Sequence, residues 1–465
     1  MGASDRAAVL RAHFSGDLIL PGDGGYDSCR QVFNGMHDKR PALIARCQSA
    51  ADVAAAVGFG RDQGLEIAVR SGGHSVAGLG VCDGGLLIDL GGLKRITVDP
   101  EARTARAGGG VLWGEFDAAT QAHGLHTPGG RVTTTGVGGF TTGGGYGWTS
   151  SKYGLTCDNL LSAQVVLADG RIVTASEHES PDLFWGIRGG GGNFGIVTEF
   201  EYRLHRLGPL VLAGLTLWPI ERASEVMRAW RDIVDQAPDE LSTACAILTA
   251  PPEPFVPDAL KGRVAIGIIG MYVGDHIEGA RVMQPIRDLG PAVDLIQPMP
   301  YLAFQSIIDA GAPKGLRSYW RGEYLASLPE GAIDAFVRQG TALAAGATPL
   351  SQMIVFRVGQ GVAAVAEDAM AFSHRNARYL FHPITMWSTA SDDHRFIAAS
   401  RAFCEAMRPF ATGGAYLNFT PEDRVREGYG EAKHERLVAL KDRYDPDNLF
   451  RLNQNIRPSH RRASA

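Results

Sequence analysis

Hydrophobic residues near the start of the chain alternate between strand-like runs and a helical repeat. The segments PALIARC (41–47) and EIAVRSGG (66–73) contain short apolar runs, which are typical of buried strands. Between them, SAADVAAAVGFGRDQG (49–64) has a serine cap, helically spaced apolar residues and a terminal glycine. A further helix is predicted over VLWGEFDAATQAHG (111–124), ending at Gly124. This order of elements predicts an α/β unit.

The periodicity stops over residues 127–150, which are dense in glycine and follow neither a strand nor a helix pattern. The next segment, NLLSAQVVLADGRIVTAS, predicts a hairpin that turns at Asp169-Gly170. After about residue 208 the pattern changes again. The apolar runs LVLAGLTLWPI, STACAILTAPP and VAIGIIGMYVG, with the amphipathic helix RASEVMRAWRDIVDQAP, predict a sheet with helices on one side.

These changes of pattern predict two domains. The first covers residues 1–208, with its core at about 38–207, and the second covers residues 209–414. Residues 415–465 again contain short, closely spaced motifs and are expected to rejoin the first domain. The final letters, SHRRASA, are expected to be disordered.

Composition and charge exclude several classes of protein. The chain has 465 residues, of which 45% are hydrophobic and 20% charged, as in globular proteins with a sizeable core. The net charge of −5 and the lack of a basic stripe give no sign of a nucleic-acid partner. Without a run of about 18 apolar residues, and with charges near the N-terminus, no membrane partner and a cytoplasmic location are expected. The six cysteines are scattered without a C-x-x-C motif, which favours free thiols.

Glycine is the exception in this composition, with 59 residues, nearly twice the usual share of about 7%. Two long Ser/Thr-rich loops, residues 70–80 and 129–147, carry much of the excess. Glycines let backbone amides approach a diphosphate and form an anion-binding nest. Glycines that only make turns are the better explanation for a single loop, but two such loops favour a nucleotide cofactor with a pyrophosphate.

A third glycine-rich stretch has the spacing of a dinucleotide-binding fingerprint, with Gly190, Gly192 and Gly195 in GGGNFG. That fingerprint requires a following helix. The letters that follow, IVTEFEYRL, alternate like a strand, so a turn before a strand is predicted instead.

Three histidines and one cysteine are candidates for chemistry. His74, in VRSGGHSVAGLG, is open to interpretation as a metal ligand, a catalytic base, an ordinary loop residue or a residue with a rarer role. His123 and His126 form an H-x-x-H at a helix end, but a metal needs further ligands, so both are expected to be solvent-exposed and no metal is predicted. Cys157 is expected to be a small buried thiol.

Several motifs occur together in one order along the chain. They are VRSGGHSVAG, TTGVGGFTTGGGYGWTSSKYGLTCDNLLSAQVVLADG, PDLFWGIRGGGGNFGIVTEF, YLNF and DPDNLFRLNQNI. Together they resemble the berberine-bridge-enzyme-like FAD-linked oxidases of the vanillyl-alcohol oxidase / p-cresol methylhydroxylase (PCMH) superfamily. The resemblance is dense over residues 40–207 and 415–457, and LHTPGGRVTTTGVGGF is most similar to bacterial members of the 6-hydroxynicotine-oxidase type.

The resemblance implies an α+β fold with FAD as the cofactor. A PCMH-type FAD-binding domain of two subdomains would be joined to a substrate domain with an antiparallel β-sheet flanked by helices, and the flavin ring would lie between them. The family's histidine at the position of His74 is bonded covalently to the flavin 8α-methyl group. Many members add a cysteine bond, but Val132 occupies that position here, so a single bond is expected.

The resemblance also implies a set of site residues. Tyr416 matches a proposed catalytic base, and Asn418 matches an asparagine that contacts the flavin region. The residues that match the cofactor site are Arg70, Ser71, Gly72, Gly73, His74, Ser75, Gly78, Thr134, Thr135, Gly136, Gly138, Gly139, Gly143, Gly144, Tyr146, Gly147, Asn159, Gly195, Val197, Asn453 and Asn455. The residues expected on the substrate side are Gln305, Arg317, Tyr319 and Trp320.

Two positions depart from the plant alkaloid-oxidising members. Ala369 stands where those enzymes have a catalytic glutamate, although Glu367 and Asp368 lie near it, and Val76 replaces a tyrosine. Alkaloid chemistry is therefore disfavoured. Tyr146 and Trp148 flank the second glycine loop and are candidates for control of oxygen access.

The expected activity is hydride transfer from a small alcohol, amine or natural-product intermediate to flavin N5, with O2 reduced to H2O2. The partners would be that small molecule and O2, with the protein a monomer or homodimer. Two alternatives stay open at this point. One is a dehydrogenase of the same family that uses another acceptor, and the other is a non-catalytic flavin-binding protein.

Overall fold

A computed structural model of the protein describes residues 3–459. The predicted disorder of the last residues therefore falls, from residue 460 onward, outside the described part. Among the described residues, no helix is both long enough and apolar enough to cross a membrane.

The first unit contains two larger sheets and a two-stranded sheet, with short helices packed around them. Its strands are β1 (Asp17–Ile19), β2 (Leu43–Arg46), β3 (Ile67–Arg70), β4 (Leu86–Asp89), β5 (Ile96–Asp99), β6 (Thr104–Gly108), β7 (Leu125–His126), β8 (Leu160–Val166), β9 (Ile172–Ser176), β10 (Ile196–Arg203) and β11 (His205–Arg206). Its helices are α1 (Ala3–Arg11), α2 (Tyr26–Arg30), α3 (Ala50–Asp62), α4 (Trp113–Gln121), α5 (Val137–Thr142), α6 (Ser150–Tyr153) and α7 (Pro181–Ile187).

The first sheet has the order β1-β2-β4-β3, in which β2, β4 and β3 run parallel. Its central strands are buried, which explains their continuous runs of apolar residues. Helix α3 begins at the predicted serine: Ser49 accepts a hydrogen bond from the Asp52 amide, and Asp52 accepts one from the Ser49 amide. The predicted strands at 43–46 and 67–70 and the helix between them are confirmed.

The second sheet, β5-β6-β10-β8-β9, is antiparallel. Strands β8 and β9 form the predicted hairpin, with Asp169-Gly170 in its turn. After α7, the GGGNFG loop leads into strand β10 rather than into a helix. The rejection of a Rossmann fingerprint is therefore confirmed.

The second unit is a ten-stranded antiparallel sheet with helices. Its strands are β12 (Leu210–Pro219), β13 (Leu241–Thr249), β14 (Val264–Tyr272), β15 (Val293–Asp294), β16 (Gln297–Pro300), β17 (Arg317–Trp320), β18 (Glu323–Leu325), β19 (Gln352–Arg357), β20 (Tyr379–Trp387) and β21 (Ala411–Ala415). Its helices are α8 (Ala223–Gln236), α9 (His276–Arg287), α10 (Tyr301–Gln305), α11 (Glu330–Gly346), α12 (Gln360–Ala363) and α13 (Asp393–Met407).

The two faces of this sheet have different partners. On β13, Cys245 and Ile247 belong to the core shared with α8, α11 and α13. Their neighbours Ala244 and Ala246 belong to the core shared with the first unit. Successive side chains of a strand point to opposite faces. One face therefore carries the predicted helices, and the other is turned toward the glycine loops.

The C-terminal segment forms α14 (Val425–Tyr429) and α15 (Glu431–Tyr444) and then crosses the first unit. Lys441 and Asp445 form an ion pair whose side chains are completely buried. The Lys441 Nζ also donates to the carbonyl of Asn193 at 2.9 Å, and the Asn193 side chain donates to the carbonyl of Gln454 and accepts from the amide of Ile456. The tail is thereby tied to the GGGNFG loop.

Candidate active site

A cavity of about 820 Å³ lies between the inner sheet face and the first unit. Both glycine loops, the GGGNFG loop and the C-terminal segment contribute to its wall. From the sheet come apolar side chains such as Ala246, Ile354 and Phe356. The cavity therefore has a backbone-rich wall on one side and an apolar wall on the other.

The two glycine loops touch each other through their backbones. A Cβ on Gly72 would lie 2.2 Å from the amide nitrogen of Gly136, and a Cβ on Gly136 would lie 2.1 Å from that of Gly72. Gly73 also has a φ of +73°, which favours glycine. In contrast, a Cβ on Gly139 or Gly192 would meet no protein atom within 4 Å, although both residues line the cavity. Some of these glycines join the loops, and others leave space for an occupant.

His74 lies at the junction of the two loops. Its Nε2 is 2.8 Å from the Thr134 hydroxyl, and its ring stacks on Phe33 with a centroid distance of 4.2 Å. The ring lines the cavity and is half-buried. Burial, with the positive charge of Lys314, lowers the pKa of His74 to about 4. The imidazole is therefore neutral at physiological pH, with a lone pair on one nitrogen.

Arg70 and Ser71 hold the first loop in place. The Arg70 guanidinium donates to Asp89 at 2.9 Å in a buried ion pair. The Ser71 hydroxyl accepts a hydrogen bond from the Gly138 amide of the second loop at 3.3 Å. Both residues also line the cavity.

Tyr416 and Asn418 form a pair next to the second glycine loop. The Tyr416 hydroxyl accepts hydrogen bonds from the Gly145 amide and from Asn418 Nδ2, both at 3.1 Å. Burial raises the pKa of Tyr416 to about 12. Asn418 lines the cavity, whereas Tyr416 lies behind it and is absent from the lining. A Cβ on Gly143 would lie 2.1 Å from Asn418 Oδ1, so this glycine allows the contact.

Most of the predicted cofactor residues line the cavity. Those in its wall are Arg70, Ser71, Gly72, Gly73, His74, Ser75, Thr135, Gly136, Gly138, Gly139, Gly143, Tyr146, Gly195, Val197 and Asn453. Thr134 is bonded to His74, and the remaining predicted residues are outside the wall: Gly78, Gly144, Gly147, Asn159 and Asn455.

Asn159 requires a correction. Its amide group donates to the carbonyls of Tyr153 and Leu155, and its Oδ1 lies 2.6 Å from the His205 ring. These partners all belong to the protein's own fold, and none of them lines the cavity. Asn159 therefore fixes the turn before β8 and has no place at the cavity.

Three of the four predicted substrate-side residues also lie outside the wall. Arg317 is paired with Asp393, Tyr319 donates to Glu422 at 2.6 Å, and Gln305 donates to the carbonyl of Gly130. Their polar groups are used within the protein. Trp320 alone among the four lines the cavity, and its buried indole nitrogen has no partner in the described structure.

Among the cavity residues missed from the sequence are Arg131 and His382. Arg131 lies inside the second glycine loop, where the glycines drew attention away from it. His382 lies on β20, where it shares a face with Leu380 and Ile384 in the alternating text YLFHPITMW. That alternation could have placed His382 on the cavity side of the sheet, because Tyr379 and Phe381 belong to the opposite, helix-facing core.

The H-x-x-H prediction is wrong for one of its two histidines. His123 is exposed in a turn, but His126 is buried in β7, with Nε2 2.7 Å from the Thr149 hydroxyl. The chain leaves the helix before Gly124 and starts a strand that pairs with β11. The buried state predicted for Cys157 is confirmed.

Two family models match chain segments that contribute to this site. A family model for the FAD binding domain matches residues 41–176, and a model described as "Berberine and berberine like" matches residues 415–457. The chain is 31% identical to (R)-6-hydroxynicotine oxidase of Paenarthrobacter nicotinovorans, over 95% of this chain and 97% of that protein. The chain belongs to the berberine-bridge-enzyme-like family of FAD-linked oxidases.

Other members of this family show the same extent of similarity. Glucooligosaccharide oxidase of Sarocladium strictum is 29% identical over 92% of this chain and 89% of its own length. The crystal structure of 6-hydroxy-D-nicotine oxidase from Arthrobacter nicotinovorans superposes with a TM-score of 0.82 at 28% identity, covering 95% of this chain and 98% of that one. The predicted fold of this berberine-bridge-enzyme-like protein is thus confirmed, and the protein is an FAD-dependent oxidoreductase.

The residues present fit FAD. The opposed glycine loops offer backbone amides without side chains, which suits a diphosphate. The side-chain oxygens of Asn453 and Asn455 are buried acceptors without a partner among the described residues, and Asn453 lines the cavity. Such acceptors suit the N–H and O–H groups of a flavin nucleotide. In this berberine-bridge-enzyme-like protein, the cofactor's polar parts therefore have matching groups.

Proposed function

We propose that this enzyme holds FAD through one covalent bond to His74 and oxidises a small organic alcohol, amine or natural-product intermediate with O2 as electron acceptor. The observation that carries the proposal is the position of His74, whose ring lines the cavity at the contact between the two glycine loops.

The environment of His74 suits a nucleophile. An imidazole forms a new bond through a nitrogen lone pair, which protonation would remove. Attachment would replace one C–H bond of the flavin 8α-methyl group; the proton would leave to solvent, and O2, the acceptor named in the proposal, would take up the two electrons. The depressed pKa keeps that lone pair available throughout the physiological range, and the contacts with Thr134 and Phe33 fix the ring. Val132, which also lines the cavity, has no group that could form a second bond. These features support attachment at a single residue.

When bound, FAD supplies the hydride acceptor for substrate oxidation and returns the electrons to O2. The protein's own groups manage the proton. The His382 Nδ1 lies 2.7 Å from the carbonyl of Arg321, which can only accept, so Nδ1 carries the proton and Nε2 keeps a lone pair. In the proposed site, His382 accepts a hydrogen bond from the substrate's O–H or N–H group, and Tyr416 positions Asn418. The role of Tyr416 as the base stays a prediction. Its raised pKa keeps the hydroxyl protonated at neutral pH, which makes it a weaker proton acceptor than His382.

The covalent bond is tested by denaturing electrophoresis of the purified protein. We expect flavin fluorescence to migrate with the wild-type polypeptide and to be absent from the His74→Ala band. The exposed His123→Ala variant is the matched control and should keep the signal. Fluorescence that persists on the His74→Ala polypeptide would show that another residue holds the flavin.

The electron acceptor is tested by stopped-flow mixing of the reduced enzyme with air-saturated buffer. An oxidase should recover its oxidised flavin absorbance rapidly and release one H2O2 per turnover. The oxidase names of the relatives support this expectation. Slow recovery, together with fast recovery in the presence of an artificial quinone, would instead assign the enzyme to the dehydrogenases.

A further inference from the structure

The charged residues in the cavity wall are unbalanced. Among the described residues that line it, two are arginines and none is an aspartate or glutamate. Arg70 is neutralised by Asp89, with which it shares a buried ion pair. Arg131, in contrast, has no carboxylate within 4 Å in the described structure. The cavity therefore carries one uncompensated positive charge.

The Arg131 guanidinium is held by aromatic rings and by one carbonyl. Its carbon lies 4.1 Å from the centre of the Phe356 ring and 5.0 Å from that of Trp148. One terminal nitrogen donates to the carbonyl of Gly147 at 3.2 Å, while the buried Nε has no partner. Burial lowers the pKa of Arg131 to about 10, which still leaves it charged at neutral pH. A charge with so little compensation is costly unless a ligand supplies an anion.

A neighbouring donor shares this state. The indole nitrogen of Trp148 is buried without a partner in the described structure, and Trp148 lines the cavity. Together with the Arg131 Nε it gives two unsatisfied donors in one region, which indicate a position for an acceptor-rich group. Buried donors are normally paired in proteins.

We propose that Arg131 is a specificity-determining residue that binds a carboxylate of the substrate, while the apolar body of the substrate packs against Ala246, Ile354 and Phe356 of the sheet. This assignment deepens the proposed function and rests on it, because it names the substrate class of the same cavity.

The chemistry of the wall selects this class. A guanidinium presents parallel N–H groups that match the two oxygens of a carboxylate. A single uncompensated cation suits a monoanion better than a phosphate monoester, which carries a charge near −2. The Arg131 backbone belongs to the second glycine loop, but its guanidinium lies over Phe356 of strand β19 and so faces the sheet wall of the cavity, where the apolar body of the substrate would pack.

A pair of probes that differ only in charge tests the assignment. The FAD-loaded wild type is titrated by calorimetry with 2-naphthoate and with 2-naphthamide. Since a hydrogen bond to a charged group contributes about 1.5–3 kcal/mol, we expect naphthoate to bind roughly 10- to 100-fold more tightly than the amide. Arg131→Met should abolish this preference, and Arg131→Lys should restore part of it. Arg338→Met, on the exposed side of α11, is the control and should behave as wild type.

Two outcomes would overturn the assignment. The first is equal affinity of the wild type for the two probes, or an unchanged preference in Arg131→Met. The second is an unchanged naphthoate affinity in Arg131→Met with a shifted flavin reduction potential, because the charge would then serve the cofactor. The covalent flavin band is measured in every variant. Absence of that band from the wild type counts against the His74 proposal, whereas a normal band with no charge preference counts against Arg131 alone.

Discussion

Gly139 illustrates how a single missing side chain can mark the place of a cofactor. It lies in α5, without the positive φ that would require glycine, and a Cβ there would meet no protein atom within 4 Å. Alanine is the better residue within a helix. The protein's own packing therefore gives no reason for glycine at this position, and the open cavity beside it does.

Replacement of Gly139 by alanine should separate folding from cofactor loading. We expect Gly139→Ala to keep the thermal stability of the flavin-free protein. The added methyl group should lower the fraction of protein that carries FAD by about tenfold, since a group forced into a packed site costs roughly 1–3 kcal/mol. The measurement is the ratio of flavin to protein absorbance after expression. Gly58→Ala, on helix α3, is the matched control, with no protein atom closer than 4.0 Å. Full loading of Gly139→Ala would mean that nothing occupies the space beside this helix.

The C-terminal helix α15 is connected to the first unit by a buried charge. Lys441 Nζ has three acceptors, namely Asp445 and the carbonyls of Asn193 and Phe450, and Asp445 also accepts from the amides of Leu449 and Phe450. Every polar atom of the pair is thus used. This element brings the tail to the GGGNFG loop, and its neighbours Asn453 and Asn455 contribute their free acceptors close by.

Removal of one partner of this pair should be severe. Lys441→Met would leave Asp445 buried without its cation, which typically costs about 3–5 kcal/mol. We expect the urea midpoint of Lys441→Met to fall sharply and its flavin loading to fall with it. The double variant Lys441→Met/Asp445→Asn should recover part of the loss, because it removes the stranded charge. A single variant as stable as wild type would show that the pair contributes nothing to attachment of the tail.

At the scale of elements, local patterns were enough for much of the fold. The capped helix α3, the hairpin at Asp169-Gly170 and the strand after GGGNFG follow from spacing within ten or twenty residues. His126 was misplaced because the helix ends early and a two-residue strand begins, paired with a segment about 80 residues away. Such pairing leaves no local signal.

The site was less predictable than the fold for the same physical reason. The family motifs led to His74 and to the glycine loops, but the substrate side depends on which residues of distant strands meet. Arg131 and Phe356 are in contact although more than 200 residues of chain separate them. Arg317 forms an ion pair with Asp393 on another element. Neither contact follows from the spacing of residues in one segment.

In the molecule as a whole, two units enclose one cavity. The first unit supplies backbone amides and His74, the sheet of the second supplies an apolar wall with His382, and the tail joins them. Family membership makes the protein an FAD-dependent oxidoreductase. Within this largely apolar space, His74 is the proposed anchor of the cofactor and Arg131 the proposed binding group for a carboxylate.

The central claim is tested most directly by mass spectrometry of a proteolytic digest of the wild-type enzyme. We expect the peptide containing His74 to carry the added mass of one FAD, and we expect fragmentation to assign this mass to the histidine. The peptide containing Val132 should be unmodified. An unmodified His74 peptide from fully flavin-loaded protein, or FAD on any other residue, would contradict the account.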